Sequence, residues 1–448
     1  MATEQKDSFN HLPFLLMMIG LVTILLIDTS LVKVYDLIDK NFIPPREKIL
    51  LFSTNSFACL LLEYLIIRYL RGSFLKYKVY FGFNSNTFNT IFFISLGLLT
   101  AFFGLLTLQM LYYNSYYTSI TIIIVVISYV LSSFFLIALF VLFVSWYRTN
   151  RNSMVLLYSI SMVLILFNLV LTSAYSIAII NDRPDEISRF VGGSMNIIAG
   201  RHHLLSSVYT VSSILSFVSI WITTALIMKN YKDKLIHALT YWMILSLPLI
   251  YYSINFSYRL IFGNFLVDYL TIDPFTVSII LTAFLSLSRP IGGLTFGIVF
   301  WRISKHLRYE KGIRTYMIIS GWGILLLFAT NQATSQIVVP YPPFGLVTNT
   351  ALILASYLML LGIYNSARLV SINAGLRRSI YKHALESRLL NLIGTAEMDK
   401  EVQKTVTTIL QDKDIVEMKS EENLNLDAEE LKKHLDFVIK EVKDKVDK

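Results

Sequence analysis

Arg289 sits in a long apolar stretch and is followed by Pro290, Gly292 and Gly293. A guanidinium inside a bilayer costs roughly 3 kcal/mol or more unless something neutralises it. Proline removes one helix hydrogen bond, and glycines let neighbouring backbones come close. The pattern suits binding of an anion, or of a carboxylate on a neighbouring helix. A purely structural ion pair is the plainer alternative. Glu63 and Asp28 are carboxylates in comparable apolar surroundings. His202 and His203 follow Arg201, but adjacent side chains on a helix point about 100° apart. Without a strong third ligand they make no metal site and read as interfacial histidines, with proton sensing as the functional alternative. Asn331, Gln332, Gln336 and Asn349 supply amides that need partners in lipid, across helices or in a cavity open to the outside.

Cys59 is alone, which excludes an intramolecular disulfide framework and a cysteine metal cluster. The chain has no Walker loop, HExxH, nucleophile elbow or haem-type histidine pairing. The sequence therefore assigns no catalytic residue, no metal and no cofactor.

These side chains belong to 448 residues of which 55% are apolar and 15% charged, against roughly a quarter charged in soluble domains. A bilayer core needs about 20 apolar residues per helix. Ten segments qualify: Leu12–Val34, Ile49–Leu70, Phe88–Tyr112, Tyr117–Tyr147, Met154–Ile180, Leu204–Met228, Leu235–Asn255, Thr276–Phe300, Tyr316–Val338 and Leu346–Val370. The first is too long for a signal-peptide core and reads as a membrane helix serving as its own insertion signal. The expected fold is an all-α polytopic bundle of about ten spans, residues 1–370, with a cytoplasmic helical tail, residues 371–448.

Basic residues fix the expected orientation. One set of alternating loops, together with the chain ends, carries 20 of them, against 8 in the other set. Both termini are therefore expected in the cytoplasm. The net charge of +9 is not a nucleic-acid signal. The tail Ala396–Lys448 holds 15 acids and 10 lysines, so the remainder is strongly basic and lies beside spans. That distribution suits the lipid bilayer with anionic lipid headgroups as partner. Counted from the outer ends of their spans, Glu63 and Arg289 lie at about 21 and 20 Å and Asp28 at about 9 Å. Depth thus favours an Arg289–Glu63 ion pair. A weak internal likeness links Leu99–Leu105 to Leu281–Leu287. A five-plus-five division of this kind is a transporter feature.

Beyond Val370 a basic amphipathic pattern, Leu376 to Ile393, suits the headgroup layer. Gly394-Thr395 reads as a break with Thr395 as N-cap of a second helix. Leu431, Leu435, Val438 and Val442 form a short stripe after Asp427, fit for self-association or a protein partner. The final span with Tyr364-Asn365-Ser366-Ala367, then Leu376-Arg377-Arg378-Ser379-Ile380, Leu389-Leu390 and Ile393-Gly394-Thr395-Ala396-Glu397-Met398, resembles multi-pass proteins of ammonia-oxidising archaea. Some of those look like membrane input modules of sensor kinases. The resemblance covers about the last hundred residues and implies a sensory role in an archaeal plasma membrane. The tail has His383 and His434 but no glycine after Gly394, so the chain is not itself a complete kinase. The leading expectation is a sensor or signal-transducing membrane protein. The alternatives are a secondary transporter with a midplane site around Arg289, and a membrane subunit of a larger complex.

Overall fold

Inside a bilayer the backbone finds no water, so a segment that crosses it must bond its own amides, and a helix does so. The structure is a computed structural model. It describes residues 11–35, 44–76, 85–149, 151–182, 186–188, 203–229, 245–254, 287–306, 311–331, 341–372, 393–402 and 404. Its helices are α1 (His11–Tyr35), α2 (Pro45–Lys76), α3 (Ser85–Tyr113), α4 (Thr118–Thr149), α5 (Ser153–Asn181) and α6 (His203–Lys229), then α7 (Leu245–Ile254), α8 (Ser288–His306), α9 (Lys311–Thr330), α10 (Leu346–Ile372) and α11 (residues 393–402). The chain is an all-α polytopic bundle. Among the described residues eight helices, α1 to α6 with α9 and α10, are long and apolar enough to cross a membrane. α7 and α8 cover parts of the expected spans Leu235–Asn255 and Thr276–Phe300. The rest of those two spans lies outside the described residues.

The helices show why composition, and not amphipathic pattern, carries the signal. On α1, Phe14, Met18, Leu21 and Leu25 are buried, while Leu12, Leu15, Leu16, Ile19 and Ile27 are exposed. Both faces are apolar; one packs on protein and the other meets lipid. Many hydroxyls within spans bond a carbonyl of their own helix. Ser56 donates to the Phe52 carbonyl at 2.7 Å, Ser128 to Ile124 at 2.8 Å and Thr172 to Asn168 at 2.7 Å.

Met1–Met398 and Asp399–Lys448 form two compact units. In the first, α1 packs on α2, α2 on α3, α3 on α4, α4 on α5, α5 on α6, α6 on α8 and α8 on α9, and α9 returns to α1. α10 lies against α1, α2, α4 and α9 and is buried almost from end to end. Glycines bring α8, α9 and α10 together. A Cβ on Gly293 would stand 2.8 Å from the Leu325 carbonyl oxygen, and one on Gly323 2.6 Å from the Met359 nitrogen. Such small residues replace the hydrophobic drive that lipid removes.

At one end of this unit two loops pair as a short antiparallel ribbon, β1 (Ser115–Tyr117) with β2 (Glu186–Ser188). Asn114, at φ 53°, turns α3 into β1, a left-handed position that asparagine tolerates. Tyr116 stacks on Tyr341 at 6.2 Å, which ties the segment before α10 to the same end. At the other end Asn152 caps α5, its side-chain oxygen accepting from the Met154 nitrogen at 2.9 Å. In the second unit residues 399–402 and 404 are described; Glu401 and Val402 are exposed.

Candidate functional site

Two polar clusters lie within the first unit, and they divide the residues that the sequence singles out. The first gathers at the N-terminal end of α10. Gly345, at φ 84°, turns the chain sharply into the helix, a conformation a side chain would oppose. The first turn of α10 then presents unbonded amides, as every helix start does. Asp28 of α1 fills that role from across the interface. Its Oδ2 accepts from the Thr348 backbone nitrogen at 3.0 Å and from the Thr348 hydroxyl at 2.8 Å. Thr29 adds a 3.3 Å contact between hydroxyls. A carboxylate at this position also faces the favourable pole of the helix dipole. The Gly345 backbone amide and the Asn55 side chain also stand beside this carboxyl, with Oδ1 and the Asn55 amide nitrogen just outside good hydrogen-bond geometry.

From Asn55 a polar stripe runs along α2 at helical spacing: Asn55, Cys59 and Glu63, all buried. The Cys59 thiol donates to Glu63 Oε1 at 3.6 Å, and Thr350 of α10 stands beside the same carboxylate. A thiol is a weak donor. Among the described residues no basic side chain touches either acid, so each carboxylate must be neutralised by a proton or a cation to remain in this setting. Asn349 is fully buried, with both amide atoms lacking partners among the described residues. No group of three or more histidine, cysteine or acidic side chains that could hold a metal occurs among the described residues.

The second cluster surrounds Arg289. Its guanidinium donates to the Asn331 backbone oxygen and to the Ser213 hydroxyl, and lies 5.7 Å over the Tyr209 ring. Ser213 pairs with the Tyr252 hydroxyl at 2.6 Å. Asn331 donates to Asn168 Oδ1 at 2.9 Å, and Asn168 donates to Ser212 at 3.0 Å. The buried Tyr129 hydroxyl and Asn331 Oδ1 have no partner among the described residues. The free space beside the guanidinium is about 10 Å³, room for one water-sized particle. On the other face of α8, Pro290, Ile291 and Leu294 border an apolar cavity of about 190 Å³ against Leu25, Leu26 and Thr29 of α1.

Arg289 and Glu63 thus do not form the ion pair that depth suggested. α8 packs on α6 and α9, whereas α2 packs on α1, α3 and α10. The described helix also begins at Ser288, which sets Arg289 in its first turn beside the C-terminal end of α9. Pro290 belongs to that same turn, where a missing N–H costs little. Asn331 does join the Arg289 cluster. His203 opens α6, and its side chain, like His202 and Gln336, lies outside the described residues.

Sequence reasoning missed a third feature. At the far end of α10 the first turn of α11 is seated on the bundle. The Trp146 indole donates to Glu397 Oε2 at 2.6 Å, and Ile393 and Ala396 are buried. Gly394 is helical here and not a break. A Cβ on it would meet the Val370 side chain and approach the Ala367 carbonyl oxygen to 3.6 Å. The glycine is thus required by close packing. A lone acid in an apolar Ile-Gly-Thr-Ala stretch was the available signal.

No family model, curated protein or solved structure matches the chain.

Proposed function

We propose that this membrane protein is a signal transducer in which α10 carries the state of the buried acids to the root of the cytoplasmic tail. One observation carries the reading. A single uninterrupted helix, buried almost throughout, holds Asp28 at one end and the Trp146–Glu397 seat at the other. From Thr348 to Val370 it runs about 33 Å at 1.5 Å per residue. Gain or loss of charge on Asp28 or Glu63 alters the bonds that position its first turn. Helices packed this closely shift as units, typically by 1–2 Å. The resemblance to sensor input modules, and the basic loops that favour cytoplasmic ends, support the same direction of signalling.

The test is a double-mutant cycle on the full chain in nanodiscs, pairing Thr348→Val with Glu397→Gln and reading thermal stability. Sites this far apart without shared partners add within about 0.5 kcal/mol. The relay predicts a coupling above that; simple additivity sinks it.

A second reading, a secondary transporter, is favoured by the cationic site at Arg289 with its hydroxyl and amide neighbours. A transporter keeps its flux when the chain is cut after Met398, whereas a transducer loses its output.

A further inference from the structure

We propose that the cavity between α1, α8 and α9 is a binding site for a hydrocarbon group drawn from the membrane. The inference does not rest on the relay, since it concerns the apolar face of α8 and not the state of the buried acids.

α1 and α8 both pack on α9, and the gap between them holds about 190 Å³. Packed interiors contain few voids larger than a water molecule, so this space is no ordinary packing defect. Its inner wall is α9, where Leu325 is 5% and Ala329 8% exposed. Gly293 holds that wall close to α8, since a Cβ on it would stand 2.8 Å from the Leu325 carbonyl oxygen. The lining reaches the surface at Ser30 and Leu294, both exposed. Ile27 and Ile298, on the same helix faces, are exposed as well. The surface at the mouth is therefore the apolar one that meets lipid, and a ligand enters from the hydrocarbon.

The lining selects the occupant. Among the described residues no charged side chain borders the cavity, and the hydroxyls that do are those of Thr29 and Ser30. Thr29 already donates to the Leu25 carbonyl at 2.8 Å. A polar or charged ligand thus finds neither a partner nor water. Apolar cavities stay dry and take apolar ligands, and one of about 150 Å³ holds benzene. By that measure 190 Å³ suits a hydrocarbon group of roughly six to eight carbons. The end of a lipid acyl chain and a separate small lipophile share this chemistry. Thr29 also stands 3.3 Å from the Thr348 hydroxyl, so an occupant lies one contact from the bonds at Asp28.

The experiment uses the full chain in nanodiscs and two photoreactive probes, a phosphatidylcholine with a diazirine at the end of one acyl chain and a free alkyl diazirine of matching size. Adducts are mapped by mass spectrometry. The expected result is labelling of Leu325 and Ala329, which lipid outside the bundle does not reach, alongside general labelling of the outer face of α1. Labelling by the phospholipid assigns the site to a lipid tail, and labelling by the free probe alone to a separate lipophile. Ala329→Phe fills the cavity and is expected to cut the α9 adducts several-fold while leaving those on Leu16 and Ile19 unchanged. Leu294→Trp narrows the mouth from an exposed position, is expected to have the same effect, and decides the matter if Ala329→Phe does not fold. The proposal is overturned if neither probe labels Leu325 or Ala329 while the outer face of α1 is labelled. It is also overturned if the α9 adducts persist unchanged in Leu294→Trp.

Discussion

Thr348 gives Asp28 both its hydroxyl and its backbone nitrogen, so one residue makes two of the bonds that tie α1 to α10. Thr348→Val keeps the shape and the backbone bond but removes the hydroxyl. A hydrogen bond to a neutral carboxyl contributes about 0.5–1.5 kcal/mol, and one to an ionised carboxylate about 1.5–3 kcal/mol. Thr348→Val is therefore expected to lower thermal stability clearly more than Thr23→Ala, whose exposed hydroxyl bonds only the Ile19 carbonyl of its own helix. Equal losses in a melting assay would show that the Asp28 contact does not hold α10. Asp28, Glu63 and Arg289 were legible in the sequence because an ionisable group in an apolar run is costly wherever it stands. Their partners were not. Depth along a helix is countable, but lateral neighbours depend on how ten-odd helices pack, and Ser213 and Thr348 look like any hydroxyl in a span.

Elements were legible by length. Eight of the expected spans reappear as helices of sufficient length and apolarity, because an apolar run of that size has few other uses. Glycines were harder, since sequence cannot tell a break from a contact. Gly394 was read as the first and is the second. The distinction predicts opposite outcomes at two helical glycines. Gly323→Val puts side-chain atoms where the Met359 backbone already stands, and overpacking of this kind costs about 1–3 kcal/mol or more. Gly97 has nothing within 4 Å of its would-be Cβ and is exposed. Gly97→Ala is expected to be neutral or stabilising by up to about 1 kcal/mol. Size-exclusion profiles after heating would check both. A tolerated Gly323→Val would mean that α9 and α10 are not in close contact.

At the scale of the molecule, the paired loops β1 and β2 agree with the alternation of spans, since the turns after α3 and α5 must lie on one side. Which side is a matter of charge. The bias of 20 basic residues to 8 predicts both termini in the cytoplasm. On a background lacking Cys59, a cysteine replacing Asp185 should react with an impermeant maleimide on intact cells, while one replacing Lys232 is protected; the reverse pattern would invert the topology. With that expected orientation, the proposed relay would run from acids near the outer end of α10 towards the cytoplasmic side. The most direct test of that relay is hydrogen–deuterium exchange on the full chain in nanodiscs, comparing the native protein with Asp28→Asn. The account predicts altered exchange at residues 393–398, about 33 Å along α10 from the substitution. A change confined to α1 and the first turns of α10, with residues 393–398 exchanging as in the native protein, would contradict it.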